Sequence, residues 1–104
     1  MNYELIVRSY AEKDITDIVL WYETKLKDLG NRFITSLDAT VQSIERNPKI
    51  YPKVYKEFRR ALLPRFPYGV FYIIENHSII IFAVFHGKRK PNAWKNRILI
   101  DTKK

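Results

Sequence analysis

Two groups of basic residues dominate the chemistry written in this chain. Lys53, Lys56, Arg59, Arg60 and Arg65 form the first, and His86, Lys88, Arg89, Lys90, Lys95 and Arg97 form the second. Cations of this kind hold phosphates, and neighbouring Tyr and Trp rings can stack on bases, so the pattern suits RNA or DNA. The same cations could stabilise the extra charge of a phosphoryl-transfer transition state without a metal. They could equally seat an acidic protein segment, and an inhibitor often covers the surface it blocks. Trp94 reads either as a stacking platform or as a packing anchor. His86, beside Gly87, reads either as a structural hydrogen-bonding group or as a chemical one.

Other chemistries find little support. Gly87-Lys88 lacks the upstream glycine and the following Ser/Thr of a phosphate loop. No glycine-flanked serine nucleophile occurs. His77 and His86 have no companions at metal-ligand spacing, so no metal site and no cofactor is expected. The carboxylates lie mainly on the first helix, where they read as a solvated face rather than an acid/base pair.

Charge is segregated. Residues 1–47 carry six Lys/Arg against eight Asp/Glu, a net of −2, whereas residues 48–104 carry thirteen against three, a net of +10. Charge placed only for solubility need not divide this way, and a concentrated basic field speeds encounter with polyanions. There are no cysteines, which excludes disulfides and thiolate metal sites. The first residues lack a basic stretch followed by a long apolar run, and Ile79 to Phe85 is too short to span a bilayer. These features point to a soluble protein of the cytoplasm that does not engage membranes. A length of 104 residues fits one domain, 1–104, around one core.

The elements that must position the basic groups follow from periodicity. Tyr3 to Arg8 reads as a strand. Ser9 and Glu12 have capping-box spacing. Ala11, Ile15, Ile18, Val19, Tyr22, Leu26 and Leu29 then form one helical stripe, with Gly30 expected as its C-terminal cap. Phe33, Leu37, Val41 and Ile44 mark a second helix that ends at Asn47-Pro48. The short link predicts an antiparallel helical hairpin. Beyond Pro52 the period changes to two. Phe58 to Leu63, Tyr68 to Glu75 and Ser78 to His86 read as strands, the last two joined by a tight turn at Asn76-His77. Strict alternation places Tyr68, Val70, Tyr72 and Ile74 on one face of their strand. It likewise sets Ile79, Ile81, Ala83 and Phe85 against Ile80, Phe82 and Val84. Both faces are apolar, so the second face needs a cover, either the chain's own C-terminal segment or a partner. Residues 91–104 read as a short helix or a further strand.

The segments RRALLPRFPYGVFYIIE (59–75) and IIIFAVFHGKRKPNAW (79–94) resemble toxins of the RelE/ParE superfamily. Trp21-Tyr22-Glu23, the stretch from Leu29 to Phe33 and Asn47-Pro48 also fit, so the resemblance spans nearly the whole chain. It implies an α+β fold: an N-terminal strand, an antiparallel helical hairpin, then a C-terminal antiparallel sheet. It also implies a cognate antitoxin partner with an acidic or disordered C-terminal segment.

Two activities live on this fold: ParE-like binding that poisons DNA gyrase, and RelE-like cleavage of mRNA on the ribosome. RelE-like members have an arginine after the tyrosine of the third strand, where Gly69 follows Tyr68. They have a C-terminal tyrosine where Trp94 stands, and two strand lysines where Arg60 and Leu62 stand. Arg89 is kept. The resemblance therefore leans to ParE, with Lys53, Lys56, Arg59, Arg60, Arg65, His86, Lys88, Arg89 and Trp94 as candidate target- or nucleic-acid-binding residues. The nuclease alternative would draw on Glu57, Arg60, His86 and Arg89, since other RelE relatives use a Glu and a His. A divergent relative that binds antitoxin without toxicity is the third reading.

Overall fold

A computed structural model of the chain describes residues 3–87 and 95–97. Strand β1 (Glu4–Val7) leads into helix α1 (Ser9–Lys25) and helix α2 (Leu29–Arg46). Strands β2 (Lys53–Tyr55), β3 (Phe58–Leu62), β4 (Tyr68–Glu75) and β5 (Ser78–His86) follow. The sheet order is β1-β5-β4-β3-β2. All pairings are antiparallel except β1 with β5, which is parallel with Glu4 opposite Ser78. This is the α+β arrangement expected from the sequence, with one short edge strand, β2, that the periodicity did not reveal. Among the described residues no helix is long and apolar enough to cross a membrane.

The helical hairpin lies on one face of the sheet. Ala11, Ile18 and Tyr22 from α1 and Phe33, Leu37 and Ile44 from α2 are buried against Val70, Tyr72, Ile79, Ile81 and Val84. Tyr72 is fully enclosed, and its hydroxyl donates to the Pro48 carbonyl at 2.6 Å. Burial pushes its phenol up to about 12, with the Tyr51 phenol adding to the rise and the Arg59 guanidinium opposing it.

Local chemistry corrects three expectations about the hairpin. Ser9 is the first residue of α1 rather than its N-cap; Arg8 holds that position without a side-chain cap, and the Glu12 N–H bonds the Arg8 carbonyl. Gly30 does not end α1. The helix stops at Lys25, the chain reverses through Asp28 at φ 73°, and Gly30 lies in the first turn of α2. Its role is close approach. A Cβ there would stand 2.9 Å from Glu23 Oε2 and 3.0 Å from Val19 Cγ1, and its N–H donates to Glu23 Oε2 at 2.6 Å. Asp14 on α1 is not part of a solvated face: its side chain is only 16% exposed and paired with Arg97.

Strict alternation also fails once, in β5. Phe71 pairs with Ala83 but Tyr72 pairs with Ile81, so Phe82 is the extra residue of a β-bulge. Ile79 and Ile81 face the helices; Phe82 and Ala83 both turn away; Val84 returns to the helix face and Phe85 turns out again. The outer face carries two aromatic clusters, Phe71 with Phe85 and Phe58 with Phe82. All four rings are buried although no helix of the hairpin covers them. The C-terminal segment supplies part of the cover. Residues 95–97 are helical, with Lys95 Nζ 5.1 Å from the Tyr55 ring centre and the Arg97 guanidinium 4.8 Å from that of Phe85.

Candidate functional site

Strand pairing decides which of the basic residues share a surface, because directly opposed residues lie on one face. Arg60 opposes Phe71 and so lies on the outer face. Its Nε is buried without a hydrogen-bond partner. The stem lies flat over Gly69, where a Cβ would meet Arg60 Cγ at 3.0 Å and Leu62 Cδ2 at 3.2 Å. The space above position 69 is therefore already filled by the side chains of Arg60 and Leu62. An arginine there would need both to move.

Arg59 points the other way. Its Nη1 donates to the carbonyls of Lys49 at 3.0 Å and Tyr51 at 2.6 Å. These bonds commit the guanidinium to holding the segment between α2 and β2. Lys53 and Glu57 pair with each other at 3.0 Å across the β2–β3 turn. Lys56 occupies the left-handed region of that turn at φ 49°, with its ammonium 5.4 Å from the Tyr55 ring centre. Arg65 lies in the β3–β4 loop, also left-handed, at φ 70°.

His86 closes β5 opposite Tyr68, on the helix side of the sheet. The two rings meet edge-on at 5.5 Å. Tyr68 in turn packs on Tyr22, whose phenol is raised by burial and then by the Tyr68 charge. His86 and Tyr68 border a cavity of about 230 Å³ with Asp14, Asp17, Ile18 and Val84. Arg60 and His86 thus lie on opposite faces of the sheet. Glu57 is further away. Leu62 opposes Gly69 and Tyr68 opposes His86, so His86 is level with Leu63 just past the end of β3, one strand away across β4. Six residues of strand separate that level from Glu57, roughly 20 Å at about 3.3 Å per residue.

Lys88, Arg89 and Trp94 lie outside the described residues. Sequence reasoning missed the pair formed by Asp14 and Arg97. Arg97 Nη1 donates to Asp14 Oδ2 at 2.9 Å and Nη2 to Oδ1 at 3.0 Å. Asp14 Oδ2 also accepts from the Val84 N–H at 3.1 Å, and Nη1 reaches the Phe82 carbonyl at 3.3 Å. The physical reason is an unfinished edge. β1 pairs with β5 only as far as Ile81, and beyond the bulge the α1 carboxylate and the C-terminal guanidinium complete the hydrogen bonding. No motif announced this, since the partners are 83 residues apart.

A helical hairpin on one face of a five-stranded sheet, with cations at its edges and outer face, defines a small α+β fold with a basic surface. The sequence model for the ParE toxin of the type II toxin-antitoxin system, parDE, matches residues 5–91, and the chain belongs to that family. Among solved structures it is similar to the chromosomal ParDE toxin–antitoxin system from P. aeruginosa, with a TM-score of 0.73 and 15% identity over 81% of this chain and 95% of that one. It is also similar to the toxin–antitoxin complex RelBE2 from Mycobacterium tuberculosis, with a TM-score of 0.58 and 17% identity over 83% and 99% of the two chains. These likenesses concern the fold. No curated protein matches the sequence.

Proposed function

We propose that this ParE-family toxin acts in the cytoplasm as a single domain that arrests growth by binding DNA gyrase, and that a co-encoded antitoxin with an acidic C-terminal segment neutralises it. One observation carries the choice of binding over cleavage: the described candidates for cleavage do not converge. Arg60 is on the outer face, His86 is on the helix face, and Glu57 is roughly 20 Å along the strands from His86. A general acid and base serving one phosphodiester must both reach the same reacting group. Gly69 stands where the resemblance to RelE-like toxins would call for an arginine, and the side chains of Arg60 and Leu62 fill the space above it. Basic side chains spread over the sheet and its edges suit a binding surface better than a reaction centre.

The test is induced expression without antitoxin, scoring growth, mRNA integrity and gyrase-dependent DNA breaks in the same cells. Gyrase-linked breaks with intact mRNA are expected. Cut mRNA with unbroken DNA would overturn the proposal and return Arg60, His86 and Arg89 to catalysis. Unimpaired growth with soluble, folded protein would instead identify a silent relative that only binds antitoxin.

A further inference from the structure

The outer face of the sheet holds a cation that the fold does not use. Arg60 has no hydrogen bond or ion pair among the described residues. Its Nε is enclosed, whereas its two terminal nitrogens are not. Packing alone fixes it, through a stem that lies over Gly69 beside Leu62. Nearby cations are committed within the fold: Arg59 to the Lys49 and Tyr51 carbonyls, Lys53 to Glu57, and Arg97 to Asp14. A partly desolvated charge with no counter-ion lowers stability, so folding does not account for Arg60. Side chains that break a local rule of this kind are expected where a protein functions.

Two more cations continue from it. Tyr55 opposes Phe58, which lies two residues from Arg60 on the same face. That separation is roughly 7 Å along β3, at about 3.4 Å per residue. Lys56 and Lys95 are both exposed, and their ammonium groups stand 5.4 and 5.1 Å from the Tyr55 ring centre. A nucleic-acid strand carries one charge per roughly 3.4 Å of its axis, so the two levels match phosphates about two steps apart. The buried rings of Phe71 and Phe85 lie beneath, and an apolar floor strengthens the pull of a cation on an anion.

We infer that this face binds the phosphodiester backbone of a nucleic-acid strand, with Arg60 on one phosphate and Lys56 and Lys95 further along. The contact belongs to the toxin itself and goes beyond the gyrase reading. A guanidinium with its terminal donors open presents a fork that matches phosphate oxygens. Bases are not read by stacking, because Phe58, Phe71, Phe82 and Phe85 are buried and Tyr55 stacks on Phe58. Recognition is therefore of charge and spacing, blind to sequence and steeply dependent on salt. An acidic peptide suits the face less well. It would need apolar surface to bury, and Leu62 is the one large apolar side chain exposed beside Arg60 among the described residues.

The experiment uses the full chain and fluorescent single strands of about 12 nucleotides, DNA and RNA, titrated between about 50 and 200 mM salt. Three cations on phosphates should give a log–log salt slope of about −2, at about 0.7 per contact. Arg60→Met keeps the stem, and it should weaken binding about fivefold or more and reduce the slope by about 0.7. Its thermal midpoint should hold or rise, since an enclosed donor without a partner has gone. Arg60→Lys should restore the slope, and Lys27→Ala, in the exposed link between the helices, should change neither quantity. The Arg60 guanidinium resonances of isotope-labelled protein should move on adding either strand. Unmoved resonances, or equal affinity of Arg60→Met, would overturn the inference. So would a blocked oligoglutamate of equal length binding as tightly as DNA, or a preference for one sugar or base above about tenfold. None of these readouts depends on toxicity, so their failure would remove this site and leave the gyrase reading standing.

Discussion

Replacing Arg97 with Met tests whether the outer face is held by the pair that closes the β5 edge. The substitution keeps apolar bulk near Phe85 but removes both bonds to Asp14, at 2.9 and 3.0 Å. Each partner is only 16% exposed, so the pair sits between a surface bridge and a fully buried one. Surface pairs contribute about 0–1 kcal/mol, and breaking a buried one costs about 3–5 kcal/mol. An intermediate cost of about 2–3 kcal/mol follows, with loss of the cation–π contacts to Phe85 and Tyr10 inside that range. In a domain of this size that lowers the thermal midpoint by roughly 10 °C. The assay is urea unfolding of the wild type, Arg97→Met, Asp14→Ala and the double variant, taken as a cycle. Asp14→Ala should cost at least as much as Arg97→Met, because it also strands the Val84 N–H. The coupling energy should be about 1.5 kcal/mol. A coupling below about 0.5 kcal/mol would refute the reasoning and reduce the pair to an ornament of the surface.

Three further outcomes can be checked with the same equipment. Gly30→Ala should destabilise the chain by about 1–3 kcal/mol in urea unfolding, because its Cβ would press on Glu23 and Val19. Tyr72 is protonated more tightly in the folded state than its ordinary phenol value, so its share of stability is complete below about pH 10 and is lost as pH rises towards 12. Tyr72→Phe should flatten stability between those pH values while costing about 1–2 kcal/mol at neutrality, from the lost bond to Pro48. Asn76→Gly should raise stability slightly, by up to about 1 kcal/mol, since Asn76 turns the β4–β5 hairpin at φ 55°.

How much was legible in the sequence depended on how far each signal had to reach. The helical stripes and the two long strands came through because period and punctuation are local: Asn47-Pro48 ends α2, and Asn76-His77 joins β4 to β5. The N-cap misreading arose because Ser9-x-x-Glu12 has the right spacing but the helix begins one residue early. Gly30 looked like a terminator, yet its use is a contact seven residues back, with Glu23. The bulge at Phe82 was hidden because every residue from Ile79 to Phe85 is apolar, so no polar position marks the change of face. The basic residues were found as types but not as a constellation. Neighbours in sequence such as Arg59 and Arg60 fall on opposite faces, and only the register separates the cation that holds the α2–β2 segment from the one on the outer face. Asp14 and Arg97 gave no signal at all, since nothing but tertiary folding brings them together.

The parallel pairing of β1 with β5 has a consequence for synthesis. β1 finishes at Val7, but its partner begins at Ser78, 71 residues later. At roughly 5–20 residues per second, a ribosome needs roughly 4–14 s to cover that interval. Throughout it, the helical hairpin can form from local contacts, while the sheet lacks the strand that joins β1 to β4 and the Leu5–Val7 edge has nothing to bind. The sheet is therefore joined to β1 only once Ser78–His86 has been made, and until then the two halves of the sheet have no common strand. A chain stopped before Ser78 holds the helical hairpin and the β2–β3–β4 strands but not the strand that links them to β1.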